Sequence, residues 1–549
     1  MLPGNHVISE PTLRERNAAP RRDQEAILTR YSEWLAALVV AIGFCWRLWL
    51  AHATFFNPDE AWHYSLADQR SLYLAYEASL TIPHPPLLVL VLYFWRSLGT
   101  SNLVLRLPVV IAGTLFCWFS WKWLTALMGR TVGWVGLILV TFLPSMIAVS
   151  ADLRQYPLML LFTVSAAYFL ERSLAGNSAP RMMASMVCLY LAILSTYSAF
   201  FFAAALGGYC IFRMYSKPPS LQVISVWGIG EAGSLGLAWF LYRTHIAKIG
   251  SLQVSWLSDY YFHPGRDHIL PFLLRGTFGF FRFVFSWAII GYLAPVLFAT
   301  GVILLVRQKS AAARPPSYLV GLLLLLPFVL NWAAVAAGLY PYGRARQCIF
   351  LAIFGIAGVS LSLARIARGK MGPALALAAG IVVLCQVFGT QPGRDMLPLA
   401  EQRHEHMDQA LAFLQREVSP EDVIYLNKST EFQLAHYLCD QKQVVLDRSV
   451  AGFESFQCRG LRVISTFPND DAVQLETFPF KWREMARAYG LNAGSKVWVF
   501  QGGWTRGFAE SLRVRFRELA GIEAHPFGQY LEVFHVTVEE TPSSAASHL

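Results

Sequence analysis

Residues 31–56 form an apolar run longer than the roughly 20 residues an α-helix needs to cross a bilayer, and comparable runs recur as far as residue 388. This recurrence leaves few folds open. Backbone groups inside a bilayer must be satisfied within the spanning structure, so each run is expected to be a helix. Composition agrees. Only 15% of the 549 residues are charged, against roughly 25% in soluble domains, and the mean hydropathy is +0.42. Spans are expected near 32–52, 102–127, 131–150, 155–172, 183–199, 200–215, 223–242, 283–306, 317–338, 346–364 and 372–388, about eleven in all. The segment 84–98 is expected to lie on the membrane surface. His84-Pro85-Pro86 breaks the chain, the apolar stretch is short, and Arg96 follows.

Charge orients the spans. The formal net charge is +10, carried in short clusters rather than on a nucleic-acid platform, so no nucleic-acid partner is expected. Arg130, Arg172 with Arg181, Arg213 with Lys217, Arg307 with Lys309 and Arg314, and Arg365 with Arg368 and Lys370 all fall on one side. That side reads as cytoplasmic. Residues 1–31, with Arg14, Arg16, Arg21, Arg22 and Arg30, read as a basic cytoplasmic tail with little order and no signal-peptide cleavage site. The opposite side receives Asp59-Glu60, Ser150-Ala151-Asp152-Leu153-Arg154-Gln155-Tyr156, the loop 243–282 and Tyr340-Pro341-Tyr342-Gly343-Arg344-Ala345-Arg346. In the loop 243–282, Trp256, Asp259, Tyr260, Tyr261, His263 and His268 suit the headgroup level.

The composition changes beyond residue 390. The segment 390–549 is expected to be a soluble α/β domain on the outer side. Helices are expected over 401–417 and 432–438, and strands at 423–426, 444–446, 463–465 and 497–500. An alternating edge strand is expected at 530–537, and a frayed end over Thr541 to Leu549. Six cysteines lie in apolar runs. Cys439 and Cys458 lie in the polar domain and are expected to form a disulfide in an oxidising compartment.

The unusual polar residues gather on the outer face. A carboxylate at Asp59-Glu60 can act as a general base or bind a divalent cation; Pro58-Asp59-Glu60 also has the form of a helix start. Asp152 and Arg154 interrupt apolar sequence where almost no loop is available. Arg344 and Arg346 suit phosphate, to which a guanidinium bonds in a fork.

Taken together, these residues resemble the GT-C superfamily of integral-membrane glycosyltransferases, in its protein-mannosyltransferase and aminoarabinose-transferase-like branch. Four features carry the resemblance: Asp59-Glu60 after the first span; His84-Pro85-Pro86-Leu87 followed by Leu105-Arg106-Leu107-Pro108; the segment Ser150 to Tyr156; and the order of spans with a soluble outer domain. It covers about residues 30–390. The resemblance implies an inverting transfer, by direct displacement, of a sugar from a polyprenyl-phosphate donor on the outer face. In that scheme Asp59 is the general base and Glu60 supports it. Asp152 positions the acceptor or, with Asp59, a divalent metal; no cofactor is otherwise implied. Arg154, Arg344 and Arg346 bind the donor phosphate. Two positions depart from the family pattern: Thr196-Tyr197-Ser198 offers no basic residue, and Arg344-Ala345-Arg346-Gln347 stands where Arg-Tyr is usual.

The expected architecture is therefore a mainly α, polytopic membrane bundle over 32–389, GT-C-like, with the soluble α/β domain over 390–549. It sits in the inner (plasma) membrane with its N-terminus cytoplasmic. Its expected partners are a polyprenyl-phosphate sugar, membrane lipids and a lipid, polysaccharide or protein acceptor. The rival classes are a transporter or flippase, for which Glu231 in mid-span is the one supporting residue, and a non-catalytic envelope-assembly protein on a similar scaffold.

Overall fold

The computed structural model describes residues 13–249, 257–308, 315–389, 401–439, 447–450, 452–466, 471–519 and 521–538. Trp256, Lys309, Arg314, the strand expected at 444–446 and the end over Thr541 to Leu549 lie outside the described residues, as do the side chains of the tail arginines.

Among the described residues nine helices are long and apolar enough to cross a bilayer, or ten with one bent pair counted as a span. The apolar helix Ala179–Ser195 is shorter and occupies the place of the expected span at 183–199. Helix α1 (Leu13–Ala53) begins inside the segment expected to have little order. Extending an existing helix costs far less than nucleating one. After it come α2 (Pro58–Ala67), α3 (Leu72–Ser79) and α4 (Leu87–Trp95). None of these three reaches bilayer length, and Arg96 folds back onto Asp68 at 2.9 Å, which agrees with a surface segment. Helix α5 (Asn102–Met128) returns across the bundle.

The next span is broken. Helices α6 (Arg130–Phe142) and α7 (Pro144–Ala151) meet at 57°. Pro144 has no N–H to offer the Val140 carbonyl. Arg47, fully buried in α1, supplies the missing donors: Nη2 reaches Val140 O at 3.2 Å, and Nη1 reaches Thr141 O and Gly43 O, each at 3.0 Å. The bend ends α7 at Asp152, and a tight turn leads into α8 (Tyr156–Gly176).

The loop expected over 243–282 is partly helical, which corrects the reading from the sequence. Ile269–Phe285 is an amphipathic helix that buries Phe272, Gly276, Phe280 and Phe283 along one stripe. Ser286, at φ +60°, breaks it, so the next span starts at Ala288 rather than 283.

The soluble domain is built on a seven-stranded sheet of order β2-β3-β4-β1-β5-β7-β6. Its strands are β1 (Val423–Asn427), β2 (Asp447–Val450), β3 (Phe453–Cys458), β4 (Leu461–Thr466), β5 (Lys496–Gln501), β6 (Ala524–Pro526) and β7 (Glu532–Thr537). The alternating C-terminal strand is not an edge, another correction: the short β6 pairs along its free side. Strand β1 runs parallel to both neighbours, β4 and β5. Their carboxyl ends form a switch point of the kind at which α/β sheets present functional groups. From there β1 leads into the helix Lys428–Leu438 and β5 into Trp504, both directed at the end of the bundle that carries α2. A Cys439–Cys458 disulfide ties the end of that helix to β3. At the opposite end of the bundle Lys122 pairs with Glu33 at 2.6 Å.

Candidate functional site

The site begins at the N-terminus of α2. Asn57 caps the helix: its side chain accepts from Glu60 N at 3.1 Å, and Glu60 Oε2 accepts from Asn57 N at 2.9 Å. Pro58 occupies the first turn, where its lacking N–H is harmless. Consecutive helical residues point about 100° apart, so the adjacent carboxylates take different surroundings.

Glu60 turns inward and is fully buried. Its Oε2 pairs with Arg106 Nη2 at 2.6 Å, and Oε1 accepts from Arg106 Nε at 2.7 Å and Leu153 N at 2.6 Å. Arg106 spends its other donors on Ala51 O at 3.0 Å, Thr54 O at 2.7 Å and Phe55 O at 3.0 Å. Such a buried pair is tolerable because its members are fully hydrogen-bonded. It locks α1, α2, α5 and the α7–α8 corner together.

Asp59 turns instead towards Arg154 and Arg346. Its Oδ2 is held by Arg154 Nη1 at 2.7 Å and is ion-paired to Arg346 Nη2. The side chain keeps 20% of its surface exposed, against 6% for Arg154 and 5% for Arg346. Burial alone would raise the Asp59 carboxyl, but the two guanidiniums outweigh it and hold the group below the usual carboxylate range. Asp59 is therefore ionised at neutral pH. One turn on, His63 Nδ1 lies 2.7 Å from the Asp59 carbonyl, which can only accept, so Nδ1 carries the proton. Burial and then Arg154 push His63 down to about 3, leaving it neutral. Its Nε2 is buried without a partner among the described residues. His84 sits beside it, ring centroids 5.8 Å apart, and is driven well below its usual value by burial and Arg154.

Asp152 behaves oppositely to Asp59. It is 5% exposed, and its carboxyl is pushed up to about 7, first by burial and then by Glu60, with Arg346, Arg106 and Arg154 opposing. Burial thus lets it hold a proton close to neutrality.

The three arginines expected at a donor phosphate separate. Arg154 and Arg346 meet at Asp59, whereas Arg344 lines a neighbouring cavity of about 450 Å³ with Arg275, Arg282, Tyr260 and Tyr342. Gly276 makes that wall possible, since a Cβ there would lie 2.3 Å from the Tyr342 ring. Tyr342 is fixed by Thr277 at 2.8 Å and Trp332 at 2.9 Å. His263 and Asp267 close their own loop instead of entering the site.

A divalent metal on Asp59 and Asp152 does not fit this arrangement. Asp59 Oδ2 already takes two guanidiniums, whose charge repels a cation. Among the described residues no three His, Cys, Asp or Glu side chains converge as ligands. The donor set is that of an anion site.

Several contributors escaped the sequence reading. Arg106 entered that reading only as part of the Leu105–Pro108 stretch, with no role assigned, although a charge inside an apolar run was a signal. Trp504, whose ring lies 5.7 Å from the Arg346 guanidinium, and Tyr437, which bonds to Phe56, had none.

Comparison with known proteins agrees with the geometry. Residues 83–240 match the dolichyl-phosphate-mannose-protein mannosyltransferase family. No curated protein matches the chain by sequence. The structure of ArnT from Cupriavidus metallidurans in the apo state superposes with a TM-score of 0.52 at 12% identity, covering 92% of this chain and 98% of that one. The same protein bound to undecaprenyl phosphate gives 0.49 at 12% identity over 92% and 98%. The oligosaccharyltransferase of Archaeoglobus fulgidus, in complex with zinc and sulfate, gives 0.46 at 12% identity over 91% and 73%. The resemblance read from the sequence is borne out: the chain has the fold of the GT-C membrane glycosyltransferases, a multi-pass bundle carrying a C-terminal mixed sheet.

Proposed function

We propose that this protein transfers a sugar from a polyprenyl-phosphate donor to a hydroxyl of an envelope acceptor, whether lipid, polysaccharide or protein. The observation that carries this reading is the Asp59 carboxylate fixed between Arg154 and Arg346, with an arginine-lined cavity at Arg344, two residues before Arg346. The description of the matched family supplies the donor class, a sugar on a lipid phosphate.

The donor phosphate lies on the Arg344, Arg275 and Arg282 side. Arg346, two residues along the same loop, bridges from there to Asp59. The acceptor oxygen attacks the anomeric carbon from the opposite face. The bond from that carbon to the phosphate oxygen breaks, the electron pair leaves with the phosphate, and the hydroxyl proton passes to Asp59. The product is inverted. Arginines fixed beforehand stabilise the charge that grows on the leaving phosphate. Asp59 is always in its base form, with a modest proton affinity that suits late proton transfer. Asp152 orients the acceptor, and Glu60 serves by holding the start of α2. The region 32–389 carries the chemistry and 390–549 roofs it from the outer, periplasmic or extracellular, side of an inner membrane. Basic clusters at the far end of the bundle support a cytoplasmic N-terminus.

The test uses purified protein in lipid with radiolabelled polyprenyl-phosphate sugars. One donor is expected to be consumed, and Asp59→Asn is expected to lower the rate at least about 100-fold, the lower end for loss of a general base. Near-normal turnover by that variant sinks the assignment. If no donor is consumed or bound, the transporter and assembly readings take over.

A further inference from the structure

We infer that the soluble domain positions the reacting carboxylate through the helix Lys428–Leu438, with Tyr437 and Gln433 as positioning residues and the Cys439–Cys458 disulfide as their brace. This rests on the reading of Asp59 given above, but its first readout does not.

The segment 54–57 that delivers Asp59 has no regular structure of its own, and its backbone groups must find partners elsewhere. Arg106 takes the carbonyls of Thr54 and Phe55, and α2 itself takes the backbone groups of Asn57. The partners of the Phe55 amide and of both Phe56 groups belong to the soluble domain. Phe56 N donates to Tyr437 Oη at 2.6 Å, and Phe56 O accepts from Gln433 Nε2 at 2.8 Å. Phe55 N donates to Gln402 O at 2.7 Å. Tyr437 is in turn fixed by Asn102, the first residue of α5, whose Nδ2 donates to the same hydroxyl at 2.5 Å. The side-chain oxygen of Asn102, Oδ1, lies 3.0 Å from His436 Nε2. The His436 ring stacks on Phe56 with centroids 4.8 Å apart, and Phe432 stacks on Trp62 at 6.2 Å. One face of a single helix, at positions 432, 433, 436 and 437, thus holds both flanks of the peptide that begins α2.

That helix needs a fixed end. It starts at β1, where Asn427 caps it through Thr430 N at 2.7 Å. It ends at Cys439, two residues past Tyr437, where the chain is tied to Cys458 of β3 with Cα atoms 5.0 Å apart. The covalent tie stands next to the residue that grips Phe56, so breaking it frees the end of the helix that carries the grip. Displacements of about 1 Å at a reacting group cost up to about 100-fold in rate, so the state of this bond sets the competence of a carboxylate in another domain.

The test takes the full-length protein in lipid nanodiscs. Hydrogen exchange over 54–60 is read first, because it needs no substrate. Tyr437→Phe keeps the ring and removes only the hydroxyl; it is expected to speed exchange of the Phe56 amide at least about tenfold, in keeping with a loop that opens locally. Reduction of the disulfide, or the Cys439→Ser/Cys458→Ser pair, is expected to speed the same amides about threefold, and reductant adds nothing to the double variant. Where a donor is consumed, kcat falls about tenfold in Tyr437→Phe while donor affinity is unchanged. Gln433→Met gives the same split, and Gln433→Asn, which retains a donor, is milder. Wild-type exchange over 54–60 in both Tyr437→Phe and the reduced protein overturns the inference whatever the reaction is. Faster exchange in a protein that uses no donor leaves the clamp standing and removes the glycosyltransferase reading alone.

Discussion

Asp59 is held from below and from above by means that differ in kind. Beneath it, Glu60 and Arg106 form an ion pair with no exposed surface, satisfied by backbone carbonyls of α1 and an amide of the α7–α8 corner. Above it, the uncharged side chains of Tyr437 and Gln433 hold the two sides of Phe56 through hydrogen bonds, with the His436 ring stacked on Phe56. A charged floor gives an all-or-none support, because removing one partner strands the other in a medium that cannot solvate it. A neutral roof gives a graded one, since each lost bond costs roughly 1 kcal/mol. The difference teaches where function can be adjusted without losing the fold: in the soluble domain, not in the bundle.

The largest expected effect breaks the floor. Glu60→Gln leaves Arg106 charged and half-partnered, and should cost about 3–5 kcal/mol, read as lost folded yield and a lower thermal midpoint. Replacing both partners together, Glu60→Leu with Arg106→Met, should recover most of that loss. If the single change is silent, the floor is not the support described.

A second test falls between floor and roof, at Asp152. Its carboxyl, raised by burial to about 7, is protonated below that pH and ionised above it. Asp59 is held low and stays ionised throughout. Transfer should therefore rise as pH increases through about 7, and Asp152→Asn should flatten that step. The stability sign is opposite: an Asp with a raised folded pKa loses stability as pH climbs from its unfolded value towards 7. A profile unchanged by Asp152→Asn removes Asp152 from the titration.

The smallest effect probes the edge of the roof. Phe432→Ala removes the stack on Trp62, worth about 0.5–1.5 kcal/mol beyond area, and should loosen domain docking slightly. Faster hydrogen exchange of the amides around Trp62 would register it, with bundle stability unmoved.

Much of the bundle was legible because bilayer-length apolar runs have few alternatives, and Asp59, Asp152, Arg154 and Arg346 converge as their shared side suggested. Glu60 and Arg344 show where reading by side of the membrane runs out. Glu60 sits next to Asp59 yet faces the core, which follows from helical rotation once α2 is known to start at Pro58. Arg344 lines the next cavity because Gly343, at φ +136°, turns the chain just before it. The strands at 423, 463 and 497 were visible as β-branched runs. Strand β3, with Glu454, Ser455 and Gln457 among its residues, carries too little apolar signal, and its place is fixed by pairing with β4. Tyr437 and Gln433 look like ordinary residues of an amphipathic helix; only the docking of two domains gives them a task.

The arginine that heals the broken span also bears on how the chain is made. During insertion, before its neighbours have arrived, Arg47 in the last third of the first segment is a liability of up to about 2.5–3.5 kcal/mol, the cost at a helix centre. After α6 and α7 are threaded it becomes the donor to the two α6 carbonyls at the break, Val140 and Thr141. The first segment thus gains a reason to stay near the membrane-insertion machinery until the third has emerged. A change such as Arg47→Leu, which any hydropathy scale would score as an improvement, should speed entry into the bilayer and spoil what is assembled there.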